Sequence, residues 1–297
     1  MKVFYSDHFA LPLPDGHRFP GSKYSLLRER LVAEGVVEAG ALRPARRASR
    51  TDLLRAHDTG YVDAVSAGTL EPSAVRRIGF PWSEGLVGRV EATVGGAIGA
   101  AEQALRDGIS GQIAGGTHHA HRDFGSGFCV YNDFAVTALH LIGTGQVSRV
   151  AIIDLDVHQG DGNAAILSGH PDVFVFSMHG ERNFPFRKHD SDLDVGLPDG
   201  TGDAAYLHAL DTHLPEVFAF RPDIVLYQAG VDPLAEDRLG RLSLTHAGLR
   251  IRDRMVLDAC ARGGIPVSLG LGGGYAEPID ATITANLNTW AEARARF

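Results

Sequence analysis

The sequence predicts an α/β fold in which a central, mostly parallel sheet carries helices on both faces. Short apolar runs alternate with longer segments of helical periodicity through most of the chain. Strands that alternate with helices of this length favour a parallel sheet that is covered on both sides. The chain has no internal repeat, no low-complexity tract and no long linker, so we expect residues 1–297 to form a single domain.

The predicted elements follow one another in a regular order. Buried strands are expected where short runs are rich in β-branched or aromatic residues: Val150–Leu155, Val173–Ser177, Ile224–Gln228 and Pro266–Leu271. Helices are expected at about Glu84–Arg106, Asp133–Ile142, Asp203–Phe220, Thr245–Arg262 and Glu277–Ala295. Within the first helix, the adjacent Gly95 and Gly96 indicate close packing against a neighbouring element.

Composition restricts the class of protein. Hydrophobic residues make up 44% of the chain and charged residues 22%, and the net charge is −8 at pH 7. This charge argues against binding to nucleic acid and is compatible with a cationic substrate. Two cysteines, Cys129 and Cys260, are too few for a disulfide scaffold, and no apolar run has the length of a membrane helix. We therefore expect a cytoplasmic protein with no membrane or nucleic-acid partner, whose oligomeric state is open.

Polar residues cluster where the predicted strands end, which is where ligands gather in parallel sheets. Asp156 and His158 are two residues apart, so at an extended strand end they project to the same side. A carboxylate and an imidazole suit a metal such as zinc. Asp154 shares that side and could instead orient a neighbouring histidine. The alternative is a loop aspartate that caps the next helix.

Three further clusters follow the same pattern. His118 and His119 come after two glycines and could both face a cavity, one accepting a proton and the other remaining cationic; they could also be two ordinary loop histidines. Asp232 could complete a three-ligand metal site with an open fourth position, or form a turn before Pro233. Tyr275, on a glycine-rich and flexible loop, could donate to a developing oxyanion, or pack on the surface.

Taken together and in this order, the clusters resemble the arginase/deacetylase superfamily and, within it, the histone deacetylases, especially the short class IV type. The matching stretches are Gly115–Ala120, Gly125–Asp133, Ile153–Gly162, Gly200–Asp203, Ala229–Gly240 and Leu271–Tyr275. The resemblance covers the chain from about residue 50 onwards. It implies an arginase/deacetylase-like fold and a zinc-dependent amidohydrolase that removes an acyl group from an acylated lysine.

The resemblance also implies a role for individual residues. The zinc ligands, one ion per chain, would be Asp156, His158 and Asp232. His119 would be the general base and acid, with His118 as its partner and Asp154 and Asp161 holding the two rings. Tyr275 would polarise the substrate carbonyl, and Phe128 and Phe184 would wall the acyl-lysine channel. A monovalent-cation site, usually for potassium, matches Asp154, Asp156, His158, Ser177 and Met178.

Some positions depart from the family pattern or bear on the substrate. Gln159 replaces a histidine found in many members, and three glycines precede Tyr275 where some relatives have four. Thr117 stands where some relatives place a bulky residue, and this smaller side chain could leave room for acyl groups longer than acetyl. Cys129 matches a structural residue of the family. The alternatives are an acetylpolyamine amidohydrolase that acts on small acetylated amines, a binuclear manganese ureohydrolase, and an inactive protein that binds acyl-lysine.

Overall fold

The computed structural model describes residues 1–14 and 16–297, and one sheet organises them. The strands are β1 (Lys2–Tyr5), β2 (Leu42–Pro44), β3 (Ile109–Ile113), β4 (Val150–Asp154), β5 (Val173–Gly180), β6 (Leu193–Leu197), β7 (Ile224–Gln228) and β8 (Val267–Gly270). They lie in the order β2-β1-β3-β8-β7-β4-β5-β6, and each pair of neighbours is parallel. The predicted parallel sheet is confirmed.

Helices cover both faces of this sheet. They are α1 (Lys23–Ala33), α2 (Arg50–Leu53), α3 (Thr59–Ala67), α4 (Pro72–Ile78), α5 (Glu84–Asp107), α6 (Asp133–Gly143), α7 (Asp161–Leu167), α8 (Asp203–Ala219), α9 (His246–Gly263) and α10 (Asp280–Arg294), and a 3-10 turn spans Ala39–Ala41. Neighbouring residues of a strand face opposite sides. In β3, Gly111 meets Trp290 of α10, whereas Gln112 meets Gly96 of α5. The two helices therefore lie on opposite faces.

The core lies between the sheet and these two helical layers. Every residue of β3, β4, β7 and β8 is buried, as expected for the centre of a parallel sheet. The predicted close packing of the glycine pair is confirmed, because a side chain on Gly95 would collide with the Arg46 carbonyl oxygen and one on Gly96 with Gln112. Both cysteines are free and buried. Among the described residues, no helix combines the length and apolar character needed to cross a membrane.

The predicted elements differ from the observed ones mainly at their ends. The strand predicted to end at Ser177 continues to Gly180, so Ser177 lies inside β5 and not at its end. The last helix begins at Asp280 and not at Glu277, because Pro278 disfavours helical backbone in the residue before it. The strands β1, β2, β3 and β6 were absent from the predicted set.

Candidate active site

Four neighbouring strands deliver the candidate residues to one edge of the sheet. β3, β8, β7 and β4 lie side by side in that order. The segments that follow them carry, respectively, the His118–His119 pair, Tyr275, Asp232, and Asp156 with His158. Because the strands are parallel, these segments all leave the sheet at its carboxyl edge, where side chains can converge.

Asp156, His158 and Asp232 form a buried cluster in which one ligand atom from each lies within 4.8 Å of the others. Nδ1 of His158 is 3.0 Å from Asp156 Oδ1 and 3.1 Å from Asp232 Oδ2. Backbone N–H groups fix both carboxylates: Gly273 donates to Asp156 over 2.6 Å, and Val157 donates to Asp232 over 2.9 Å. The three side chains are therefore held with their donor atoms directed at one another.

The electrostatics of this cluster fit a divalent metal ion. Burial and the neighbouring Asp156 carboxylate raise the pKa of Asp232 to about 7. Burial alone would lower the pKa of His158, but the two carboxylates raise it to about 10. Buried carboxylates of like charge are stable together when a cation lies between them. The nitrogen and oxygen donors, three in number, match a catalytic zinc site, in which a fourth position stays open.

Each histidine of the adjacent pair donates from Nδ1 to its own carboxylate. His118 bonds Asp154 over 2.8 Å and His119 bonds Asp161 over 2.6 Å, with the two rings 4.1 Å apart. Burial opposes a charge on His118, but Asp154 and Asp156 outweigh it and raise its pKa to about 9. Burial and the charge of His118 lower the pKa of His119 to about 4. At neutral pH one ring is therefore a cation and the other a neutral base.

Asp161 is shared with a third histidine that the sequence did not single out. Nε2 of His121 lies 2.9 Å from Asp161 Oδ2, and the His121 ring stacks on Phe124 at 4.2 Å. Although burial opposes it, hydrogen bonds from His119 and His121 hold the pKa of Asp161 well below its usual range. The carboxylate beside His119 thus stays ionised.

The loop that carries Tyr275 is anchored, in contrast to the flexible loop that its glycines predicted. Asp237 accepts hydrogen bonds from the backbone N–H groups of Tyr275 (2.6 Å), Leu239 (2.8 Å) and Gly240 (2.9 Å). Burial raises the pKa of Tyr275 well above its usual value, so the side chain remains a phenol that can donate. Its hydroxyl makes no hydrogen bond within residues 1–14 and 16–297 and is available to a ligand.

Aromatic side chains wall a cavity of about 460 Å³ above these groups. Phe128 lies on one side, with φ of 65° and its N–H bonded to Ile78 O over 2.7 Å. Phe184 lies on the other, its ring 4.9 Å from that of His119. Gly127 lies between them, and a side chain there would come within 2.9 Å of the His119 ring. Phe128, Phe184 and the histidine pair therefore line the same cavity.

The residues of the expected monovalent-cation site come from two adjacent strands. Asp154 at the end of β4 lies opposite Ser177 of β5, and Met178 is the next residue. Asp156 and His158 follow in the loop after β4, and all five are buried. Asp154 also accepts a hydrogen bond of 3.2 Å from the Asp156 N–H. The structure thus brings Asp154, Ser177 and Met178 together in the sheet, whereas Asp156 and His158 also line the cavity.

Three other singled-out residues have structural contacts. Gln159 joins two loops, since its amide donates to His189 O (2.6 Å) and to Asp194 (2.8 Å). Thr117 donates to Asp133 over 2.6 Å, which turns its hydroxyl towards α6. The Cys129 thiol lines the cavity, but burial raises its pKa, so it is a poor nucleophile.

Two cationic residues near the site were also not predicted from the sequence. Lys23 is buried in the cavity wall, where its ammonium lies 5.0 Å from the centre of the Tyr275 ring and 3.4 Å from Gly272 O. Arg252, fully buried, donates to Leu155 O (3.3 Å) and Gly230 O (2.5 Å) and so ties together the segments after β4 and β7. The contacts of Lys23 and Arg252 depend on tertiary structure, so no sequence pattern could have identified them. His121 could have been identified, because it lies two residues after His119.

Comparison with known proteins gives one consistent result. A family model described as the histone deacetylase domain matches residues 17–290. An uncharacterized protein of Picosynechococcus sp. is 46% identical over 278 residues, which cover 93% of each chain. Histone deacetylase 2 of Arabidopsis thaliana is 33% identical over 271 residues, 87% of this chain and 70% of that protein. Acetoin utilization protein AcuC of Staphylococcus aureus (strain MSSA476) is 31% identical over 78% of this chain and 65% of its own length.

Solved structures agree with this result. The crystal structure of an HDAC homolog complexed with SAHA superposes with a TM-score of 0.84 at 26% identity, and covers 100% of this chain and 84% of that chain. An HDAC homolog from Aquifex aeolicus gives a TM-score of 0.83 at 26% identity.

Proposed function

The chain belongs to the histone deacetylase family, and from that premise we propose that it is a zinc-dependent amidohydrolase that removes the acyl group from an acylated lysine side chain. A deacetylase-type hydrolase follows from the family. Zinc dependence and an acyl-lysine substrate are supported by one arrangement. The buried Asp156–His158–Asp232 cluster lies beside two histidine–carboxylate pairs, at the base of an aromatic cavity. Residues 1–297 would form one deacetylase domain.

In this proposal Asp156, His158 and Asp232 hold one zinc ion. Zinc in such a site supplies Lewis-acid chemistry, in which the pKa of a water molecule falls and a carbonyl group is polarised. A potassium ion beside Asp154, Asp156, His158, Ser177 and Met178 would have a structural role. Its supporting observation is that Asp154, the last residue of β4, lies opposite Ser177 inside β5, with Asp156 and His158 in the loop that follows β4.

The proton transfers fall to the histidine pair. His119, neutral because burial and His118 lower its pKa to about 4, accepts the proton of the attacking water at Nε2. Its Nδ1 is held by Asp161, which fixes the orientation of the ring. His118, whose Nδ1 is hydrogen-bonded to Asp154, would carry a proton beside the departing amine. Tyr275 donates its hydroxyl hydrogen to the oxygen on which negative charge develops.

The cavity supports an acylated lysine as the substrate. Phe128 and Phe184 form a slot that suits a methylene chain leading to a buried amide. A polyamine would bring a second ammonium group, and Asp156 is the sole acid among the described residues that line the cavity. Because Asp156 belongs to the metal cluster, it is not available to pair with that ammonium. An acetylpolyamine substrate is therefore the alternative that we favour less.

The test combines zinc content with activity. The purified protein should hold about one zinc per chain, in line with the catalytic stoichiometry of such sites, and should hydrolyse acyl-lysine peptides. Acetylated spermidine and putrescine, assayed in parallel, distinguish the polyamine alternative. Tight binding of acyl-lysine peptides without turnover by the zinc-loaded protein would instead identify a binding protein, and would contradict the proposal.

A further inference from the structure

The side chains that line the cavity are unbalanced in charge. Lys23, Arg77, Arg182 and Arg241 contribute cations, whereas Asp156 contributes the only carboxylate among the described lining residues. Asp156 is buried at the base with the metal ligands. The outer part of the cavity therefore has a wholly basic set of charged groups.

The three arginines stand at the mouth on three different segments. Arg77 is in the last turn of α4, Arg182 lies between β5 and β6, and Arg241 follows β7; all three are exposed. The Arg77 guanidinium lies 4.7 Å from the centre of the Phe124 ring, and Arg241 pairs with Asp199 at 3.1 Å. Arg182 forms no ion pair with any residue in 1–14 or 16–297. It is thus the cation with the least compensation.

Three acidic side chains in the loops around the mouth are engaged elsewhere. Asp237 accepts backbone hydrogen bonds in the loop of Tyr275, and Glu277 pairs with Arg238. The Glu181 side chain turns towards Gly196 of β6. Exposed apolar groups, Phe186 (87% exposed) and Leu239 (44% exposed), lie beside the arginines instead. The mouth thus combines apolar contact area with positive charge.

This local charge is opposite in sign to that of the whole chain, which is −8. Exposed charges are screened beyond about 8 Å at physiological ionic strength, so a bound segment would respond mainly to the rim. Building on the proposed function, we infer that the acylated lysine is presented on an acidic protein or peptide segment. Aspartate or glutamate side chains within a few residues of the lysine would pair with Arg182, Arg77 and Arg241.

The test uses acyl-lysine peptides of equal length whose flanking residues are acidic (Asp, Glu), neutral (Asn, Gln) or basic (Lys, Arg). We expect kcat/KM to decrease in that order, mainly through KM. Since each exposed ion pair contributes a factor of about 1.5 to 5, the acidic-to-basic ratio should be roughly tenfold. It should collapse at about 1 M salt, where charges are screened beyond about 3 Å.

Two charge reversals localise the effect. Arg182→Glu should lower the acidic-to-basic ratio to about twofold, since it removes one exposed pair and introduces a repulsion of similar size, while Arg77 and Arg241 still favour the acidic peptide. Arg262→Glu is the matched control, because it changes the net charge equally at the exposed end of α9, next to the amino edge of the sheet. It should leave the ratio unchanged.

Equal kcat/KM for the three peptides, or a preference for the basic one, would overturn the inference while leaving the deacylase function intact. An equal effect of Arg182→Glu and Arg262→Glu would also overturn it, since net charge would then be the cause. Hydrolysis of acetylated spermidine without hydrolysis of any peptide would overturn the proposed function itself.

Discussion

The backbone N–H of Tyr275 donates a hydrogen bond of 2.6 Å to the carboxylate of Asp237. Asp237 also accepts from Leu239 and Gly240, so one side chain joins the loop after β8 to the loop after β7. The position of the Tyr275 hydroxyl in the cavity therefore depends on a residue that itself does not line it.

Asp237→Asn should reduce kcat by about tenfold or more, because the loss of one hydrogen bond to a charged group costs roughly 1.5–3 kcal/mol. Tyr275→Phe should reduce kcat by roughly 10²–10³-fold, the usual cost of one oxyanion donor. Neither change should alter zinc content. The double variant should resemble Tyr275→Phe, since Asp237 acts through Tyr275.

Steady-state kinetics of the three variants test this relationship, with Glu236→Gln, a change at the exposed neighbouring acid, as the control. Additive losses in the double variant would show that Asp237 acts independently of Tyr275. A change confined to KM in Tyr275→Phe would make the tyrosine a binding residue.

Asp232→Ala should lower metal occupancy and activity together, because it removes one of the three proposed ligands. The variant is expected to fold, since it also removes one of two buried carboxylates that repel each other. Elemental analysis for zinc and turnover of an acyl-lysine peptide provide the measurements. Asp172→Ala, at an exposed aspartate, should change neither. Full zinc occupancy with normal turnover in Asp232→Ala would refute the ligand assignment.

His119→Ala should lower kcat by at least about 10²-fold, the lower range for general acid–base catalysis. Binding of a hydroxamate inhibitor should persist, because His119 is not among the metal ligands and substrate contacts lie mostly along the aromatic walls. Inhibitor titration and kcat, measured on the same preparation, separate the two effects. A normal kcat in this variant, with a large loss in His118→Ala, would move the base to His118.

Stability should decrease as the pH falls from about 6.5 to 4, partly because of His57. Burial lowers the pKa of His57 to about 4, and its ring is held neutral by Asn132 N–H (2.9 Å) and His121 O (2.9 Å). The unfolded chain, with the ordinary pKa of 6.5, binds the proton first. The contribution of His57 to the free energy of unfolding is thus fully present above pH 6.5. It decreases by up to about 3 kcal/mol as the pH falls to 4.

Chemical unfolding at several pH values measures this loss. His57→Gln should flatten the dependence within that window, whereas His208→Gln, at an exposed histidine, should leave the slope unchanged. Burial lowers the pKa of His179 to about 4 as well, so the flattening should be partial. An unchanged slope in His57→Gln would show that other groups cause the acid sensitivity.

Strands whose buried side chains are mostly apolar could be predicted from the sequence. A strand with buried polar side chains was missed. β4 and β7 are continuous apolar runs, but β3 contains Ser110 and Gln112, whose burial depends on hydrogen bonds to Lys2 O (2.8 Å) and Asp133 (3.0 Å). These partners are remote in sequence, so hydropathy alone could not identify the strand. β2 is too short, at three residues, to have a periodicity.

The same distinction applies to the site. The candidate metal ligands Asp156 and His158 follow a strand in a recognisable motif, so they could be named in advance, together with the edge of the sheet on which they lie. Lys23 could not, because its contact with Gly272 joins residues 249 positions apart. Strand order brings α1 beside the loop after β8, and no local pattern encodes that order.

We expect the range of acyl-chain lengths that the protein accepts to depend on Thr117. Its hydroxyl bonds Asp133 and its side chain is small, so it leaves the base of the cavity open. A second cavity of about 40 Å³ lies behind it, lined by apolar residues that include Ala114, Leu86 and Phe128. We predict that acyl groups longer than acetyl extend towards this space.

We therefore expect kcat/KM to stay level or rise from acetyl to longer acyl-lysine peptides, with up to about 0.8 kcal/mol of binding for each buried CH₂. A series of acyl lengths on one peptide measures this dependence. Thr117→Leu should reduce the ratio of long-chain to acetyl activity, because the added bulk obstructs the path between the two cavities. A steep fall beyond acetyl in the unmodified protein, or a preference for acetylated spermidine or putrescine over every peptide, would contradict the prediction.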